Sequence, residues 1–310
     1  MEVAVIGSGL IGQAWTIVFA RAGYTVKLWD GDAQARARAV DLIGRQARLL
    51  QQQQLLDDPD ALVGRIEVCD DLEQALHSAG YVQENLPEKL DIKRDIFRRM
   101  DALADPGVVL ASSSSSIPAS MFTEPLQGRN RCLVAHPVNP PYLVPIVELC
   151  GAPWTDAAAL AAARKIMSDA GQKPVTVHRE LEGFVLNRLQ GALLREAFRL
   201  VEKGVITAED LDATVKDGLG LRWSFMGPFE TIDLNAPGGL ADYCARYGAM
   251  YAGIAREQTD CAPWAEATVA DIERQRRDIL PETELAERRL WRDRRLMSLR
   301  RHKLQADADD

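Results

Sequence analysis

Residues 3–12 read VAVIGSGLIG: four apolar residues, then glycines at 7, 9 and 12 in the spacing G-x-G-x-x-G. The apolar run is a strand candidate. The stretch after it, IGQAWTIVFARAG, is helical in pattern and is closed by Gly23. A second strand candidate, TVKLW at 25–29, ends at Asp30, 23 residues after Gly7. Glycines alone also mark ordinary turns. Strand, glycine turn, helix, strand and acid, in that order within about 30 residues, are far more specific.

Each part of this unit has a physical task. Gly7 allows the tight turn, Gly9 lets backbone approach a pyrophosphate, and Gly12 lets the helix pack close to the strand. Leu10 and Ile11 open the helix, whose first turn offers unpaired N–H groups to phosphates. Asp30 at the strand end accepts from both ribose hydroxyls and repels a 2′-phosphate, so NAD is expected over NADP. Asp32 is a nearby alternative acid, but it lies past the strand end.

Further strand candidates follow at 81–84 (YVQE), 108–112 (VVLAS), 132–135 (CLVA), 146–150 (IVELC) and 174–178 (PVTVH). Helical stretches alternate with several of them, including a long charged one at 33–56 that carries QQQQ at 51–54 and ends near Pro59. The expected fold class is α/β, a Rossmann-type mainly parallel sheet covered on both faces. After about residue 180 no convincing strand remains. Leu186, Leu189, Leu193, Ala197 and Leu200 mark one face of a helix, and Thr207 with Asp210 resembles a capping box. Two domains are expected, 1–180 and an all-helical 181–310. The last helix, about 282–304, is rich in arginine, read as a solvated face. Ala286, Leu290, Met297 and Leu304 form a stripe that packs on domain or partner surface.

Composition narrows the class. The 310 residues suit two domains, and 47% apolar with 26% charged residues is ordinary for a globular protein. No run of about 18 apolar residues exists, so no membrane span is expected. The N-terminus lacks a basic leader segment. Cys69, Cys132, Cys150, Cys244 and Cys261 are scattered without a CxxC pair, so neither disulfides nor a metal site is expected, and free thiols suit the cytoplasm. A net charge of −8 argues against nucleic acid as a partner.

An NAD enzyme acting on an alcohol needs a base, and imidazole suits neutral pH. Of the four histidines, His77 lies in a charged helical stretch, His302 in the arginine-rich tail, and His178 at the domain boundary. His136, in AHPVNPP, ends a strand where three prolines then forbid helix. Ligands of open α/β sheets bind beyond strand carboxyl ends, which favours His136. Glu148 interrupts an apolar strand and is a candidate partner for the imidazole, although a Glu on an exposed edge strand is a serious competing reading. SSSSS at 112–116 also ends a strand. One hydroxyl there could hold a substrate oxygen, and another could cap a helix before IPASMF.

Together, GSGLIG, ASSSSS, HPVNPP, VELC, GFVLNRL and GPFETIDL, in this order over nearly the whole chain, resemble the L-3-hydroxyacyl-CoA dehydrogenase family. The resemblance implies a serine, histidine, glutamate and asparagine set at Ser115, His136, Glu148 and Asn187. It also implies cofactor-lining roles for Glu88 and Lys93, a substrate- or cofactor-side amide at Asn139, and a homodimer formed mostly through the helical domain. The C-terminal half is most similar to the lambda-crystallin branch, which is L-gulonate 3-dehydrogenase; RWSFMG also resembles L-carnitine dehydrogenase. In acyl-CoA members the stretch before MGPFE is usually shorter and lacks an arginine like Arg222. Arg222 suits a free substrate carboxylate, with a surface ion pair as the plainer reading. The expected activity is NAD-dependent oxidation of the 3-hydroxyl of a small L-3-hydroxy acid, with Ser115 and Asn187 holding the C3 oxygen. The rivals are an acyl-CoA or carnitine enzyme and a crystallin-like structural protein that only binds NAD.

Overall fold

The computed structural model describes residues 1–258 and 262–309; Cys261 lies outside them. Eight strands form one sheet in the order β3-β2-β1-β4-β5-β6-β7-β8. They are β1 (Glu2–Ile6), β2 (Thr25–Trp29), β3 (Ile66–Val68), β4 (Ala79–Glu84), β5 (Val109–Ser112), β6 (Cys132–Pro137), β7 (Ile146–Gly151) and β8 (Lys173–Val177). All neighbouring pairs are parallel except β6 with β7. The carboxyl ends of β1, β4, β5 and β6 therefore share one edge. That edge carries the glycine turn, the β4 turn, the serine loop and His136.

The sheet is covered on both sides, which is why β1 reads as an unbroken apolar run. Val3 and Val5 face one buried layer, with helices α1 (Leu10–Arg21) and α2 (Ala33–Gln52); Ala4 and Ile6 face the other, with the helix Leu90–Leu103. Helix α1 is buried nearly all round from Ala14 to Ala20. Helix α2 buries only one stripe, Ala39, Ile43, Gly44, Ala47 and Leu50, as its charged sequence requires.

Several boundaries differ from expectation for local reasons. Helix α2 stops at Gln52 because Gln54 takes a left-handed conformation (φ 59°) and Leu55 N–H closes back onto the Leu50 carbonyl. Only half of the glutamine run is helical. Strand β3 has only three residues and is mostly exposed, too short for its sequence to carry a strand pattern.

The chain forms two compact units, residues 1–188 with 290–310, and residues 189–289. The helical region after 180 is thus not one body with the C-terminal end. The last helix, Leu285–Asp309, returns to the first unit, where Met297 is 1% exposed and Leu296 packs beside it on the sheet's buried layer. The regular elements of the second unit are all helices among its described residues. Thr207 caps as expected, its hydroxyl accepting from Asp210 N–H. No described helix is long and apolar enough to cross a membrane.

Met297→Ala is expected to cost about 2–4 kcal/mol, since it removes a buried side chain that ties the last helix to the first unit. Chemical denaturation measures this. A loss below about 0.5 kcal/mol, the level of an ordinary surface substitution, would mean that the helix is not docked there.

Candidate active site

The glycine turn has the geometry of a phosphate cradle. A Cβ on Gly12 would lie 1.7 Å from the Gly7 carbonyl oxygen, so only glycine lets α1 start this close to β1. Gly7 has φ 100°, and a Cβ there would crowd Asn85. A Cβ on Gly9, by contrast, meets nothing within 4 Å. The first turn of α1 has no side-chain cap and no acid, which leaves its N–H groups and positive dipole end for an anion. Leu10 is 80% exposed at this opening, and Ile11 is half-buried behind it.

Asp30 sits at the end of β2, held against this turn. One carboxylate oxygen accepts from the Ser8 N–H (2.7 Å) and the Ser8 hydroxyl (3.1 Å), the other from Asp32 N–H (2.9 Å). The Asp32 side chain is spent as the cap of α2, accepting from Gln34 N–H, which removes it as a rival to Asp30. Arg36 donates to the Asp30 carbonyl, a contact no sequence pattern pointed to. An uncapped helix start, a glycine cradle and a strand-end carboxylate together fit a dinucleotide.

The serine loop is organised by Glu88. Its Oε1 accepts from the hydroxyls of Ser114 and Ser116 and from the N–H groups of Ser115, Ser116 and Ile117. Burial pushes this carboxyl up, but those donors and the Lys93 charge outweigh it, so it lies below the usual carboxylate range. Ser114 also accepts from Ile117 N–H, so the capping serine closes a turn rather than a helix. Lys93 does not open toward a cofactor. It is 1% exposed, and its ammonium reaches Glu84 Oε1 and Oε2 at 2.8 and 2.9 Å and the Leu86 carbonyl at 3.0 Å. Three acceptors match its three hydrogens. From there it stiffens the β4 turn that lies against Gly7.

His136 and Glu148 face each other across the antiparallel β6–β7 pair, in register. His136 Nδ1 is 2.8 Å from Glu148 Oε2, and both residues are buried. Glu148 Oε1 accepts from the N–H groups of Val185 (2.9 Å) and Leu186 (3.0 Å), the start of the helix Leu186–Glu202. Burial raises the Glu148 carboxyl, but His136 and these two N–H groups more than compensate, and it is lowered on balance. The same helix carries Asn187, whose amide donates to the Ser115 carbonyl at 2.9 Å. The Ser115 hydroxyl has no partner among the described residues. Asn139 is exposed on the turn after β6, before a cis bond to Pro140.

Ser115, His136, Glu148 and Asn187 therefore meet at one sheet edge in the first unit. Arg222 belongs to the second unit, on the short helix Gly220–Trp223, where it is exposed and makes no ion pair with a described residue. Sequence reading missed Phe184. It is fully buried, holds a left-handed backbone (φ 47°) after Gly183 (φ 75°), and packs its ring 5.8 Å from the His136 ring. That conformation turns the Val185 and Leu186 N–H groups onto Glu148. The adjacent Gly183 was the available signal.

Residues 2–181 match the model of the 3-hydroxyacyl-CoA dehydrogenase NAD binding domain, and residues 183–273 match that of the family's C-terminal domain. The chain belongs to the 3-hydroxyacyl-CoA dehydrogenase family. It is an NAD-dependent dehydrogenase. It is 40% identical to lambda-crystallin of Oryctolagus cuniculus over 97% of this chain and 96% of that one. It is 42% identical to an L-carnitine dehydrogenase of Streptomyces coelicolor, over 80% of this chain and 77% of that one. Among solved structures it resembles an NAD+-dependent 5-formyl-3-hydroxy-2-methylpyridine 4-carboxylic acid 5-dehydrogenase, with a TM-score of 0.83, 29% identity and 97% of both chains covered.

Two outcomes are expected. Gly12→Ala should abolish NADH binding or folding, whereas Gly9→Ala should fold normally and only weaken NADH; fluorescence titration beside circular dichroism separates them. Equal behaviour of the two would contradict the cradle geometry. The lowered Glu88 carboxyl contributes stability that is complete above its unfolded pKa of about 4.3 and is lost as pH falls through the folded value. Glu88→Gln should therefore flatten the fall of Tm between about pH 5 and pH 3, and an unchanged acid limb would contradict the assignment.

Proposed function

We propose that the protein oxidises the 3-hydroxyl of a small free L-3-hydroxy acid, with His136 as the general base. Bound NAD supplies the acceptor for the hydride that leaves C3; Gly7, Gly9, Gly12, the first turn of α1 and Asp30 would hold it. With Nδ1 engaged by Glu148, the free ring nitrogen of His136 is Nε2, and this nitrogen takes the hydroxyl proton. Glu148 fixes the tautomer and stabilises the imidazolium that results. Ser115 offers its unpartnered hydroxyl to the C3 oxygen, and Asn187 holds the serine loop by its carbonyl. In the reverse direction the imidazolium returns its proton to the 3-keto oxygen. The observation that carries this reading is the buried 2.8 Å His136–Glu148 contact beside the dinucleotide cradle.

Arg222 is proposed to bind the substrate carboxylate. It is an unpaired guanidinium, and a fork of that kind matches a carboxylate in bidentate fashion. One relative named above is an L-carnitine dehydrogenase and another is named for a carboxylic acid, so free acids occur among the substrates of similar proteins. The described cysteines are all unbonded, which suits a reducing cytoplasm.

A homodimer through the helical unit is part of the same proposal. The apolar stripe of Leu186–Glu202 is only partly covered, with Leu189 64% exposed, and Leu221, Phe225, Phe229 and Leu234 are more exposed still. Helix Gly239–Glu257 buries none of its 19 residues. Surfaces this apolar mark an interface. Light scattering should give twice the chain mass of 34.2 kDa; a monomer at micromolar concentration would remove this part of the proposal.

The activity is tested on L-gulonate, L-carnitine, L-3-hydroxybutyrate and a 3-hydroxyacyl-CoA. His136→Ala should lower turnover by ~10²–10⁴ while NADH binding is spared, and near-normal turnover would sink the assignment. Arg222→Ala should raise KM for the acids and leave a thioester unaffected. Higher kcat/KM on the thioester than on any acid would favour an acyl-CoA enzyme.

A further inference from the structure

A cleft of about 290 Å³ lies at the opposite end of α1 from the glycine turn, lined by Arg21, Leu55, Asp169, Arg300 and Leu304. All of these residues belong to the first unit. Arg21 comes from the end of α1 and Arg300 from the last helix, so two elements far apart in sequence bring two guanidinium groups to one place. Neither forms an ion pair with a described residue. The one acid among the lining residues, Asp169, is engaged by Lys165 at 2.7 Å.

Arg21 is only partly exposed, and one of its five N–H groups donates to the Tyr142 carbonyl at 3.2 Å. None of its other nitrogens is both buried and unpartnered, and the residue lines the cleft. Burial first, and the Arg300 charge second, lower the Arg21 pKa. A position at the negative end of α1 accounts for one cation there. It does not account for Arg300, which sits inside the last helix and adds repulsion. Two guanidinium groups that line one cleft without an ion pair leave their repulsion uncompensated.

We propose that this cleft binds a small phosphate-class oxyanion, either inorganic phosphate or a compact phosphate monoester, between Arg21 and Arg300. The anion bridges the two forks, cancels their repulsion and pins the last helix to α1. Arg21 also holds the turn that follows Asn139, so the bound anion rests one hydrogen bond from that turn.

The test uses full-length protein saturated with NADH, so that the glycine cradle cannot take the probe. Inorganic phosphate is titrated against chloride at constant ionic strength, with calorimetry and Tm as readouts. The expected result is one saturable site per chain, with Tm raised by roughly 2–4 °C at tenfold excess over Kd. Arg21→Gln and Arg300→Gln should each abolish both signals. Arg301→Gln, whose side chain bonds Gln54 instead, should keep them. Glycerol 3-phosphate in a parallel arm distinguishes the sources: tighter binding than phosphate identifies a monoester site, and equal or weaker binding identifies inorganic phosphate. If Arg21→Gln does not fold, the Arg300 variant decides alone. No saturable heat in the wild type, or a Tm rise that persists in Arg300→Gln, overturns the proposal, since general salt exclusion would stabilise every variant alike.

Discussion

The carboxylate of Glu148 makes two connections at once. One oxygen meets His136 Nδ1, and the other accepts the two N–H groups that start the helix of Asn187. A buried carboxylate is costly unless its lone pairs are filled, and these donors fill them. The same bonds set the ring orientation of His136 and the place where the helix begins. The left-handed Phe184 supports both, because its backbone aims the N–H pair and its ring packs on the imidazole. A base aligned this way needs no reorganisation when it takes a proton, which is the advantage of preorganised sites.

Two further carboxylates repeat this logic along the sheet edge. Glu88 gathers donors from Ser114 to Ile117 and so gives the serine loop one conformation. Glu84 takes Lys93 and the Ser112 hydroxyl. Lys93 is the more instructive of the sequence-matched residues. A lysine near a cofactor loop suggests contact with phosphate, but a buried ammonium with three acceptors acts through the backbone it stiffens.

The second unit has a different energetic character. Among its described residues the buried apolar side chains are few and small, Val201, Ala208 and Ala236. Its helices expose large residues such as Phe225 and Phe229. Helices gain most of their stability from packing an apolar face, so a second copy over these faces, as proposed, would supply what the single chain lacks.

The amino-acid sequence by itself determined the dinucleotide unit, because the glycine spacing and the acid at the end of β2 are local requirements of backbone geometry. It also determined the alternation of strands and helices and the all-helical character of the later region, since periodicity is a local property. His136 and Glu148 were legible as candidates because each breaks the pattern of an apolar strand. Their pairing was legible only as one candidate beside an exposed edge-strand reading, since it depends on β6 and β7 running antiparallel in a register that brings position 136 opposite 148. Tertiary structure alone decided that Lys93 is buried and that the last helix returns to the first unit. Each of those outcomes depends on which donors and apolar surfaces lie nearby in space, a matter of contacts between residues that the chain order keeps apart.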